Sequence, residues 1–142
     1  MSYTTFQSLA RAEFIVDKNS LVVIDAPEID WDSVDAVRAE TYSEHTTKVI
    51  PAGTVMCKLA SGKMIPRADR ENAETAIGIL WKTAVELQYF DPSMGESVIA
   101  GGPVFETLLP EVGSADLDAT VKAELNAAGT GFVFVEYTQT LS

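Results

Sequence analysis

The chain has 142 residues, of which 46% are apolar and 22% charged, and a mass of 15.3 kDa. That is enough for one domain with a real core and too little for two of ordinary size. Twenty-one acids against ten bases leave a net charge of −11, which excludes the basic face that a duplex nucleic acid or an anionic lipid surface requires.

In chain order, residues 1–12 show little periodicity and read as a mobile lead. Residues 13–17 and 20–25 read as two short strands around Lys18-Asn19, because Ile15, Val16 and residues 21–24 are mostly β-branched. The acidic stretch APEIDWDSVDAVRAETYSEH follows. Asp30 is placed to cap a helix over residues 31–40, with Trp31, Val34 and Val37 on one side. Residues 1–46 are therefore expected to form an N-terminal arm with an acidic stretch, and residues 47–142 a β-rich domain.

Residues 47–109 alternate short runs rich in β-branched and aromatic residues (TKVI, TVMCKL, KMIP, AIGILWKTAVEL, ESVIA, VFETLL) with turn-forming separators. This spacing predicts a sandwich or barrel. Gly53 and Gly62 suit turns that need a positive φ, and Gly78 inside AIGIL marks a bulge or a close backbone approach. One helix is predicted at about 114–128. Ser114 is its N-cap, Leu117, Val121 and Leu125 form its apolar stripe, and Gly129 is its terminator. GFVFVEYTQ then closes the domain as a strand.

Residues with catalytic potential are few. His45 is the sole histidine and no GxSxG elbow accompanies it. A lone Cys57 in an apolar run reads as a core residue and excludes an internal disulfide. Asp30, Asp32 and Asp35 resemble the start of a calcium loop, but an oxygen ligand, Gly and Glu would be needed where Val34, Asp35 and Thr41 stand. No catalytic residue, metal or cofactor is expected. The N-terminus has no basic start followed by an apolar stretch, so no secretory signal is expected. No apolar run approaches the ~20 residues of a membrane span.

One succession of motifs rises above composition. VIPAGTVMCKLASGKMIP leads to AIGILWKTAVE, then to SVIAGGPVFETLLPE, a charged helix and AAGTGFVFV. Over residues 47–136 this order resembles the head decoration proteins of tailed phages, the family of the lambda capsid-stabilising protein. The resemblance implies a mainly β (α+β) fold, a compact small β-barrel or β-tulip-like domain with one helix. It also implies a homotrimer on the outer surface of the expanded capsid, bound to the major capsid protein and bracing it against packaged DNA, with no catalysis. The protein would be made in the host bacterial cytoplasm and end in the virion, without nucleic-acid or membrane partners.

An arm over residues 2–16 is expected to add a strand to the capsid, with Phe6, Leu9, Phe14 and Ile15 as apolar anchors and Trp31 as a further partner contact. The rival reading places residues 14–16 in the domain core. A different class, a virion β module binding a carbohydrate or host-surface ligand, would expose an aromatic cleft using Trp31, Trp81 or Tyr89.

Overall fold

The structure, a computed structural model, describes residues 14–25, 27–42, 45–86, 97–105, 109, 119–127 and 131–135. Nine strands fall in this range: β1 (Val22–Asp25), β2 (Ala39–Tyr42), β3 (His45–Ile50), β4 (Val55–Lys58), β5 (Met64–Pro66), β6 (Ala76–Leu80), β7 (Ala84–Val85), β8 (Ser97–Phe105) and β9 (Phe132–Val135). The α-helix α1 spans Ala119–Ala127. The fold is mainly β with one α-helix among the described residues. The larger sheet runs β1-β8-β6-β4-β5, with β9 added parallel to the far half of β8, and the smaller runs β2-β3-β7.

β8 is the hub of the larger sheet. Its first half pairs with β1 on one side and β6 on the other, and its second half holds β9. Apolar residues bury both faces of the sheet, so its strands read as near-continuous hydrophobic runs rather than alternating ones. One core gathers Phe14, Ile79, Ile99, Val104 and Phe132 under Val121 and Leu125 of the helix. The other gathers Ile29, Val34, Ile50, Met56, Met64, Leu80 and Val98.

The sheets are not closed into a barrel, which corrects the expected closed form. The sheet is nevertheless rolled. Asp25 sits opposite Ser97 of β8, and the Met64 N–H of β5 donates to the Glu28 carbonyl. Three residues reach at most about 11 Å, whereas four flat strand steps from β1 to β5 would need about 19 Å. The gap is spanned by the chain itself. Asp30 N–H donates to the Met64 carbonyl, and Ile29 makes a single parallel bridge to Met64. Pro27, which has no N–H to offer a ladder, lies in the interruption.

At Gly78 β6 and β8 meet closely. A Cβ there would lie 2.3 Å from Val98 Cγ1 and 2.5 Å from the Ile99 carbonyl oxygen. β6 also carries an extra residue here, since Met56 faces Gly78 while Cys57 faces Ala76. Both sequence expectations for Gly78 therefore hold. Gly78→Ala is expected to lower stability by about 1–3 kcal/mol through overpacking, readable as a shift of the urea midpoint. An unchanged midpoint would mean that β8 yields at no cost.

Two expected elements differ. The helix over residues 31–40 is instead two 3-10 turns, Trp31–Ser33 and Ala36–Arg38. Val34 between them is extended and buried. The Asp35 carboxylate accepts from Val37 N–H at 2.9 Å, and Ser33 Oγ donates to Asp30 Oδ2. Short polar side chains thus compete with the helical ladder. Upstream, among the described residues only Ile15 bridges β8, at Val104, while the strand expected over residues 20–25 is the shorter β1, Val22–Asp25.

Residues ahead of position 46 contribute to both cores. Phe14 lies in one core, and Ile29 and Val34 lie in the other. Helix α1 keeps the expected buried pair Val121 and Leu125. Ser114, Leu117 and Gly129 lie outside the described residues. Gly53 and Gly62 both take φ of 93°, as their turns require.

Candidate functional site

The expected contact residues part company in the structure. Phe14 is 2% exposed, and its carbonyl accepts from Phe105 N–H at 2.7 Å. Ile15 is half-buried against the same core. Both pack against that core in the described domain. Phe6 and Leu9 lie outside the described residues. Trp31 is half-buried against the second core, and its carbonyl accepts from Lys48 Nζ at 2.8 Å. Trp81 packs against the first core, and Tyr89 lies outside the described residues.

Asp30, Asp32 and Asp35 are not drawn together. Among the described residues no three His, Cys, Asp or Glu side chains are arranged to hold a metal ion, and no helix is long and apolar enough to cross a membrane. Cys57 is fully buried. Burial first, and Glu74 second, push its thiol up to about 11 against the opposing charges of Arg70 and Arg67. It remains a protonated thiol at neutral pH, as a core cysteine should.

Two charge clusters that sequence spacing did not reveal hold the domain together. Arg38 Nε reaches Asp69 Oδ2 at 2.7 Å, with side chains 9% and 5% exposed. The same oxygen accepts from Asp35 N–H at 3.1 Å, which ties the acidic N-terminal segment to the 3-10 turn Arg67–Asp69 after β5. The second cluster centres on Glu124 of α1. Arg67 grips its carboxylate with two bonds, 3.2 Å from Nε and 2.7 Å from Nη2. Ala76 N–H donates at 3.0 Å, and Arg70 approaches at 3.5 Å.

The Arg67 hydrogen bond, aided by the Ala76 N–H and both guanidinium charges, holds Glu124 below the usual carboxylate range despite its partial burial. These residues stand 48 to 57 positions from Glu124 in sequence. No motif signals such a pairing.

The surface feature that sequence reading missed is the outer edge of β1. Val22, Val23 and Ile24 are 39–40% exposed, and nearby Val16 is 39% exposed. β1 stands at the end of the sheet order, a position that its apolar sequence does not disclose. The one partial signal was acidic: Asp17 and Glu28, both exposed, bracket the run in sequence.

No family model, curated protein or solved structure matches the chain.

Proposed function

We propose that the protein is a phage head decoration protein, a homotrimer that seats on the outer face of the expanded capsid, binds the major capsid protein and braces the shell against the pressure of packaged DNA. The observation that carries this reading is the ordered succession of motifs over residues 47–136, from the Pro-Ala-Gly-Thr turn through AIGIL and the Leu-Pro-Glu link to the Ala-Gly-Thr turn. A rolled, mainly β domain with both sheet faces packed and an apolar edge left open suits a part that works by contact. Three weak contacts on one trimer multiply, because each later one forms at a high effective concentration and avidity rises by about 10²–10⁴-fold.

Co-sedimentation with expanded, undecorated heads tests the proposal, with unexpanded proheads as control. Saturable binding to expanded heads alone is the expected result, and failure to bind either shell would overturn it. Deleting residues 2–12 is expected to abolish shell binding while leaving the melting temperature nearly unchanged. Unimpaired binding by that variant would show that the lead segment takes no part.

A further inference from the structure

We infer that the open end of the larger sheet, on the face turned away from α1, is a docking surface. Its partner is a protein patch with an apolar centre and a rim of lysine and arginine. The inference rests on the decoration reading, which makes that partner the major capsid protein.

Register places the residues. Paired strand residues share a face, and successive ones alternate between faces. Val104 pairs with Phe134, and both pack in the core beneath α1. Pro103 with Val133, and Phe105 with Val135, therefore stand on the opposite face. On the other side of β8, Val23 pairs with Ile99 of the α1 core, which turns Val22 and Ile24 to that same opposite face. The register shift between Val22 and Val23 sets Val22 beside Gly101, two residues before Pro103. Three adjacent strands thus present one apolar strip.

The second core covers this face only as far as Val98, which pairs with Ile24. Beyond it, Val22 and Ile24 are each 39% exposed and Val133 is 59% exposed, while Pro103, Phe105 and Val135 are half-buried. None of these six belongs to either core. Single exposed aliphatic residues are ordinary, but a contiguous set across strands marks a contact site.

Charge selects the partner. Residues 22–24, 97–105 and 132–135 include no charged side chain. Of the residues that flank these runs in the chain, Asp25, Glu96, Glu106 and Glu136 are acids, Leu21 and Gly131 are neutral, and none is a base. Consecutive Cα atoms lie about 3.8 Å apart, so acids frame the strip. A second copy of this face would set those acids against their like, with a charge of −11 on each body. The chain's own basic stretch is partly engaged, since Arg67 grips Glu124 and Lys48 Nζ donates to the Trp31 carbonyl. A foreign patch with a basic rim meets every flanking acid with the opposite sign. The apolar centre then supplies affinity, and the rim supplies orientation and encounter rate.

The test is titration of expanded, undecorated heads with the parent chain, Val133→Asp, Val22→Asp and the double variant Glu106→Lys with Glu136→Lys. Melting temperature and solution mass are read for each. Val133→Asp and Val22→Asp are each expected to weaken binding about tenfold or more, at the parent's melting temperature and mass. Should one unfold, the other carries the test, and the double variant removes no apolar contact. The double variant is also expected to weaken binding, and added salt to weaken the parent more than the double variant. Aspartate variants that fold and bind like the parent would overturn the docking surface while leaving the decoration reading in place. A mass that falls in Val133→Asp would make the strip a contact between copies and overturn the foreign partner. Parent binding indifferent to salt would overturn the basic rim. A parent that binds no head removes the decoration reading and this partner with it.

Discussion

Phe14→Ala is expected to destabilise the domain by about 3–5 kcal/mol, the range for emptying an aromatic site in a packed core. Phe14 is 2% exposed and packed in the core that includes Ile79, Ile99, Val104, Val121, Leu125 and Phe132. Its removal opens a void beneath the helix, on the side of the sheet where α1 docks. At about 3 °C per kcal/mol for a chain of this length, the melting temperature falls by roughly 9–15 °C. The contrast with the deletion of residues 2–12 is the informative part. A boundary of two residues separates a change that leaves the fold intact from one that nearly unfolds it. A loss under 1 kcal/mol for Phe14→Ala would show that this ring does not carry the packing of that core.

Glu124→Gln is expected to cost about 2–4 kcal/mol near neutral pH. It removes one charge from a site where Arg67 binds bidentately and Arg70 stands close. The side chains of Arg67 and Glu124 are only 15% and 19% exposed, so the penalty for stranding a partly buried guanidinium applies. The pH dependence has a definite sign. Glu124 binds its proton less readily folded than unfolded. Its contribution is therefore complete above the ordinary carboxylate value of 4.5 and is lost as pH falls through the depressed folded value. Parent and variant stability curves are expected to converge in that acid window. Parallel curves from pH 7 to pH 3 would show that the charge of Glu124 does not carry the effect.

Much of the domain was legible because its signals are local. The turns at Gly53 and Gly62, the strand AIGIL with its crowded glycine, and the Val121–Leu125 stripe each depend on a few adjacent residues. The acidic segment misled for an equally local reason. Val34 and Val37 have helical spacing, but Asp35 caps the backbone in mid-course, and Val34 is extended and buried while Val37 is 81% exposed. Core and edge were harder to tell apart. Phe14 and Val23 are both apolar residues in strand-prone runs, and only the sheet order decides that one is core and the other edge. The Glu124 cluster was beyond reach, because it joins a helix to a turn and a strand start 48 or more positions away.

The central place of β8 also sets the order in which the protein matures. Asp25 must wait for Ser97 and Val22 for Gly101, so the edge strand leaves the ribosome more than seventy residues ahead of its neighbour. At about 5–20 residues per second, the nascent Val-Val-Ile run stays without its ladder for roughly 4–15 s. Pairings so distant in sequence are also slow to find. The apolar strip is thus most vulnerable to wrong partners during synthesis, and a chaperone that binds extended aliphatic segments would meet this chain there first.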